Sequence, residues 1–162
     1  MHIKILLAGD GGQGIQLISD MLTQASFANG WFVSQIPNYG LEQRGGVSLS
    51  FLIISDKEIS YPKFTKPDIM LVMSEQARER MKNYQMSMIN DQLLDINNFV
   101  EKLKESNVSV QSYNIFFLGL ISGLLEEKGV LKKDQVFALL EKKLSNKPNW
   151  EGNKQAYTIG TL

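Results

Sequence analysis

The hydrophobic positions of this chain change their period part-way along it. Residues 3–8 (IKILLA) form a short apolar, β-compatible run halted by glycine, the pattern of a buried strand. Ile15, Leu17, Ile18, Met21, Leu22, Ala25, Phe27 and Ala28 then recur at roughly helical spacing. They predict a helix from Gly12 or Gln13 to about Ala28, stopped by Asn29 and Gly30. Residues 31–36 (WFVSQI) predict a second strand, so strand, glycine turn, helix and strand make a parallel β-α-β unit. After the breaker-rich loop 37–46 (PNYGLEQRGG), residues 47–55 (VSLSFLIIS) predict a strand, and 58–61 are compatible with a short return strand. Residues 69–73 (IMLVM) predict a buried strand, with Ser74 capping a helix that starts at Glu75. The run 86–89 (MSMI) fits a short strand.

The later pattern is helical. It predicts an amphipathic helix over 97–106 and two more over 112–128 and 132–144, then a stop at 146–149 (NKPN) and a polar tail. Strands thus dominate the first half. The expected fold is a three-layer α/β/α sandwich with a mostly parallel, Rossmann-like sheet, helices concentrated in the C-terminal half, and a single domain over residues 1–162. Met70 and Met73 read as core filling, as does Trp31. Gly119 and Gly123, four apart, read as sites of close helix packing.

Composition narrows the function classes. The 17 basic residues equal the 17 acidic ones, so no basic excess points to nucleic acid or an anionic membrane surface. There is no cysteine, which removes disulfides, thiolate nucleophiles and cysteine-ligated iron–sulfur clusters from this chain. The most apolar late run, 115–125 (IFFLGLISGLL), has eleven residues, whereas a spanning helix needs about 20. It reads as a buried helix, and the chain as cytoplasmic. The one histidine, His2, stands near the terminus and reads as uninvolved.

Two loops carry the candidate chemistry. The first is GDGGQG over 9–14, four glycines in six positions. Gly9-x-Gly11-x-x-Gly14 matches a dinucleotide fingerprint between strand and helix, where helix amides face an anion. Two features weigh against a nicotinamide dinucleotide. Asp10 puts a carboxylate inside the loop, and the second strand ends in SQIPN, without the acid that binds a ribose. A P-loop fits worse still, because no Gly-Lys-Ser/Thr follows the glycines. The blander alternative is a tight turn whose glycines only allow close packing. The second loop, YGLEQRGG over 39–46, sets an aromatic, an acid and a guanidinium between glycines. Glu42 and Arg44 form a local ion pair in one reading. In the other, Arg44 presents fixed donors to a carboxylate, a phosphate or a partner's acid. Both loops follow parallel strands, so they are expected at one edge of the sheet, sharing a crevice.

Taken together, these motifs resemble the gamma subunit, or gamma domain, of the 2-oxoacid:ferredoxin oxidoreductases, which act on pyruvate, 2-oxoglutarate, branched-chain 2-oxoacids and indolepyruvate. The family pattern is similar to G-x-G-G-Q-G at 9–14, Y-G-x-E-x-R-G-G at 39–46, a strand bearing Ser48, I-x-Y-P at 59–62, P-D-x-x-x-x-x-S at 67–74 and N-x-x-A-[FY] at 153–157. Family members run roughly 20 residues longer, within ordinary domain sizes. The gap falls between Tyr84 and Tyr113, and it leaves the expected sheet one strand short there.

The resemblance implies a division of labour. Thiamine diphosphate and the iron–sulfur clusters sit on partner alpha, beta and, in some assemblies, delta subunits. Coenzyme A takes the acyl group, and ferredoxin or flavodoxin takes electrons from the complex. This chain would catalyse nothing alone and hold none of these groups alone. It would pack on the thiamine-binding subunits and help bind coenzyme A. Gly11, Gly12, Gln13 and Gly14 would form one wall of the shared site, with glycine amides as an anion nest and Gln13 as orienter. Tyr39 and Arg44 would form the facing wall. Asp10, Glu42, Gly45, Gly46 and Trp150 would serve the subunit interface, with an exposed apolar patch in the tail or around 37–41. The alternative function is a stand-alone doubly wound nucleotide-binding or regulatory module. A third reading is a structural domain whose loops only pack.

Overall fold

A computed structural model describes residues 1–39, 46–86, 88 and 92–162 of the chain. Among the described residues five strands form one sheet: β1 (His2–Asp10), β2 (Phe32–Tyr39), β3 (Val47–Ser55), β4 (Ile69–Val72) and β5 (Gln92–Asp95), in the order β2-β3-β1-β4-β5. β1 pairs parallel with β4, and β4 with β5, while β3 runs antiparallel to both β1 and β2. Four strands therefore point one way and β3 points back. The expected β-α-β unit is parallel, but its strands are not neighbours, because β3 lies between β1 and β2.

The three inner strands β1, β3 and β4 are apolar on both faces because both faces are covered, which explains their near-continuous hydrophobic runs. Alternate residues sort the faces. Ile3, Ile5, Leu7, Leu52, Ile54, Ile69 and Leu71 enter the larger core. Leu6, Ala8, Val47, Leu49, Met70 and Val72 enter a smaller one. The larger core is closed by helices α1 (Ile15–Ala28), α4 (Val100–Glu105), α5 (Tyr113–Glu127), α6 (Lys133–Leu144) and α7 (Trp150–Gly160). Ala77 of α2 (Glu75–Arg80) and Met81 close the smaller core, and Phe51, Phe64, Tyr84 of α3 (Lys82–Met86) and Met88 pack against it. Met70 and Met73 are both core, as expected, and Trp31 packs half-buried on the larger cluster.

Several expectations need correction. Residues 58–61 form no strand; Pro62 follows them and supplies no ladder N–H. The 86–89 run is no described strand either: Met86 ends α3, Met88 is irregular, and Ser87 and Ile89 lie outside the described residues. The sheet is not a strand short between Tyr84 and Tyr113, because β5 fills that place with four residues, Gln92–Asp95. The polar tail is a helix, α7, whose buried Asn153, Ala156, Tyr157 and Gly160 lie on one side. In the first helix, Phe27 is 69% exposed rather than core, and the helix begins at Ile15.

The α5–α7 crossing explains one glycine expectation and overturns the other. A Cβ on Gly119 would stand 2.5 Å from the Tyr157 carbonyl oxygen, and one on Gly160 would stand 2.1 Å from that of Phe116. The two backbones thus touch at paired glycines. A Cβ on Gly123 would meet nothing within 4 Å, so that residue has no packing role.

Candidate functional site at the glycine loop

β1 ends in the glycine loop at the edge of the sheet where β2 ends and β3 begins. The register pairs Asp10 with Val47 and Tyr39 with Ser48. One hydrogen bond then joins the two candidate loops: the Gly11 amide donates to the Gly46 carbonyl at 2.8 Å. The described end of the second loop, Gly46, thus meets the glycine loop at one edge as expected, just ahead of β3. Glu42, Arg44 and Gly45 lie outside the described residues, as does the Tyr39 side chain.

Within the glycine loop, positive φ at Gly12 (90°) and Gly14 (78°) bends the chain into α1, a conformation that glycine adopts without a Cβ penalty. Gly11 and Gly12 are exposed, and Gln13 and Gly14 are half-buried. Among the described residues, nothing in the chain accepts a hydrogen bond from the Gly12 or Gly14 amide. Gln13 works inside the fold. Its Oε1 accepts the Asp10 amide at 2.7 Å, and its Nε2 donates to the Met73 carbonyl at 3.1 Å. The amide thereby splints the end of β1 to the end of β4.

Asp10 does not project as a bare carboxylate into this loop. The Ser74 hydroxyl donates to its Oδ1 at 2.7 Å, while the same Ser74 oxygen accepts the Ala77 amide at 3.0 Å as the N-cap of α2. The cap was legible in the sequence, but the bond to Asp10 was not, since it joins residues 64 apart. Behind Ser74, Arg78 makes a two-pronged ion pair with Asp95, Nε to Oδ2 and Nη2 to Oδ1, both at 2.7 Å. Arg78 also pairs with Glu75. The Arg78 guanidinium holds the Asp95 carboxyl below the usual carboxylate range, and Asp95 raises the pKa of Arg78 in turn.

Polar residues of α1 brace the same edge. Gln16 Nε2 donates to Ser48 Oγ at 3.2 Å and to the Leu49 carbonyl at 3.0 Å, and Ser19 and Ser50 hydroxyls meet at 2.7 Å in the core. On the thinner face, a cleft of about 510 Å³ opens beside β2, lined by Ile36, Asn38, Phe51, Tyr61, Phe64 and Tyr84 among others. Tyr61, from the I-x-Y-P motif, is 69% exposed there. Trp150 is half-buried in its own chain and packs on Phe137, ring centroids 5.8 Å apart. Among the described residues no three His, Asp or Glu side chains cluster as metal ligands, and no helix is long and apolar enough to cross a membrane.

Residues 4–161 match the family model of pyruvate ferredoxin/flavodoxin oxidoreductase. The chain belongs to this family. A 2-oxoglutarate synthase subunit KorC from Methanothermobacter marburgensis is 46% identical over 78 residues, 48% of this chain and 42% of that protein. A ketoisovalerate oxidoreductase subunit VorA from Methanothermobacter thermautotrophicus is 34% identical over 74 residues, 46% of this chain and 16% of that protein. The chain thus spans less than half the length of these curated relatives in the aligned part. Among solved structures, a keto/oxoacid ferredoxin oxidoreductase gamma subunit from Geobacter sulfurreducens matches with TM-score 0.74 at 23% identity, covering 99% of this chain and 95% of that one. A 2-oxoglutarate:ferredoxin oxidoreductase from Magnetococcus marinus, solved with 2-oxoglutarate, coenzyme A and succinyl-CoA bound, matches with TM-score 0.82 at 19% identity, covering 98% of this chain and 30% of that one. At these identities the likeness establishes a shared fold, and the pyruvate oxidoreductase family fold is the one described above.

Proposed function

We propose that this chain is the gamma component of a cytoplasmic 2-oxoacid:ferredoxin oxidoreductase, acting as one domain over residues 1–162. Its task is to pack on the thiamine-binding subunits and to help bind coenzyme A at the glycine-loop edge. The observation that carries the reading is the 2.8 Å bond from Gly11 to Gly46, which ties the first family motif to the last residue of the second. The residues suit the phosphate of such a ligand. The Gly12 and Gly14 amides are without acceptors among the described residues, and the N-terminus of α1 favours an anion. Asp10, the one acid in the loop, is engaged by Ser74.

In this reading Gly11, Gly12 and Gly14 form one wall. Gln13 keeps the loop in shape rather than orienting the ligand, since both ends of its amide are bonded within the chain. Tyr39 and Arg44 supply the facing wall, with Arg44 on a coenzyme A phosphate or a partner carboxylate. Glu42, Gly45, Gly46 and Trp150 meet the partner subunits. Thiamine diphosphate and iron–sulfur clusters, held by alpha, beta and delta partners, supply decarboxylation and electron transfer to ferredoxin or flavodoxin. The chain has no cysteine to hold a cluster.

The test is a tagged pull-down from anaerobic extract, with the eluate assayed for thiamine diphosphate, iron and 2-oxoacid-dependent dye reduction with coenzyme A. Co-elution with an active, cluster-bearing complex is expected, and a panel of 2-oxoacids then names the substrate. A chain that elutes alone and colourless overturns the reading.

A further inference from the structure

An acid in an anion-binding loop needs an explanation. A carboxylate beside a phosphate raises the free energy of the bound state by like-charge repulsion, yet Asp10 lies between Gly9 and Gly11. Its surroundings supply the explanation. The Asp10 amide is held by Gln13 Oε1, and its carboxylate accepts the Ser74 hydroxyl. These two holds lead to the same place, the junction of β4 and α2, because Gln13 Nε2 bonds to the Met73 carbonyl next to Ser74. Met73 is tied to β1 in turn, its amide donating to the Ala8 carbonyl at 2.9 Å. The Ser74 proton has a fixed direction. Its oxygen accepts from Ala77, so the hydroxyl is oriented to donate toward Asp10. The two-pronged Arg78–Asp95 pair fixes α2 to the end of β5 and keeps Ser74 in place.

We propose that Ser74 is a positioning residue that draws the Asp10 carboxylate toward α2 and away from the anion held by the glycine loop. The inference rests on the reading that this loop takes a coenzyme A phosphate. Ser74 touches no ligand in this arrangement. It acts through Asp10, by determining where a negative charge stands.

The experiment uses the assembled complex carrying variants of this chain. It measures the dissociation constant of coenzyme A by equilibrium dialysis, and KM and kcat beside it. Ser74→Ala is expected to weaken coenzyme A binding about tenfold, the size of one charge-assisted hydrogen bond, with kcat at saturating coenzyme A preserved. Ser74→Thr keeps the hydroxyl and is expected to bind like the parent. The deciding variant is Ser74→Ala with Asp10→Asn. Removing the charge restores binding to the level of Asp10→Asn alone if Ser74 restrains that charge. It cannot restore a lost helix cap.

A double variant that binds as weakly as Ser74→Ala, or a Ser74→Ala complex that binds like the parent, overturns the inference. The two readings fail differently. If Arg44→Ala weakens coenzyme A binding while Ser74→Ala does not, only the role of Ser74 falls. If the parent complex binds no coenzyme A, or binds it unaffected by Arg44→Ala, Gly12→Ala and both Asp10 variants, the anion-loop reading falls and this one with it.

Discussion

At Gly14 two requirements coincide. The backbone takes φ +78°, and a Cβ there would stand 2.1 Å from Asn114 Nδ2. At Gly12 the first requirement holds, with φ +90°, but a Cβ would meet nothing within 4 Å. Gly12→Ala is therefore expected to cost the left-handed backbone penalty alone, about 1–2 kcal/mol, measured by chemical denaturation. Gly14→Ala is expected to cost more, and Asn114→Ala in the same chain recovers the excess but not the backbone part. Equal costs for the two glycines would refute this division. The same comparison marks what could be read at this scale. Four glycines between a strand and a helix announce a turn that approaches something closely. They do not tell which glycine is strained by its own φ, which is crowded by α5, and which faces solvent. Those distinctions come from Asn114, 100 residues further along the chain. Gln13 is a similar case: its amide reads from sequence as a ligand contact, but it spans Asp10 and Met73.

Elements were legible where a local pattern decided them and illegible where tertiary contacts did. β1, α1, β3, β4, α5 and α6 follow from periodicity and stops within two or three residues. β5 is four residues long, and three of them are half-buried or exposed, so no apolar run announces it. The pairing with β4 makes it a strand. α7 carries few apolar residues and an interior glycine, and reads as a tail by propensity. It is a helix because Gly160 and Gly119 let it lie on α5, and because Asn153 accepts the Ser112 hydroxyl at 2.8 Å. The N-x-x-A-[FY] motif is thus a packing device, with Asn153, Ala156 and Tyr157 all buried. Gly160→Ala is expected to destabilise the chain by about 3 kcal/mol or more, since backbone would have to separate from backbone. Gly123→Ala is expected to stabilise by about 0.5–1 kcal/mol, because the position is helical and open. Thermal unfolding followed by circular dichroism reads both, and a tolerated Gly160→Ala would show that α7 does not dock as described.

For the whole molecule, the two cores place the titrating groups at opposite ends of the pH scale. On the acid side stands Asp95, whose pKa is lowered below its ordinary 3.8 by the Arg78 guanidinium, against the raising effect of burial. A depressed carboxyl contributes stability above its unfolded value, and that contribution is lost as pH falls through the folded one. On the alkaline side stands Tyr157, pushed up to about 12 from 10.0, chiefly by burial. Its hydroxyl donates to the Lys133 carbonyl at 2.7 Å, joining α7 to α6. Here the folded state keeps a proton that the unfolded chain releases above about pH 10. The contribution is complete below that point and is lost as pH rises towards about 12. The stability profile should therefore fall at both ends for separable reasons. Arg78→Ala is expected to flatten the limb below about pH 4 and to lower the neutral plateau by about 1–3 kcal/mol, because a part-buried carboxylate loses its charged partner. Tyr157→Phe is expected to flatten the limb above about pH 10 and to cost about 1 kcal/mol at neutral pH, the worth of one neutral hydrogen bond. Urea unfolding across the pH range, with both single variants and the double, checks this. The ion pair braces α2 against β5, whereas the tyrosine braces α7 against α6, so the two effects should add to within about 0.5 kcal/mol. A double variant far from additive would mean that the glycine-loop edge and the C-terminal helix pair are coupled through the sheet. Substitutions at α7 would then be expected to reach the binding edge as well.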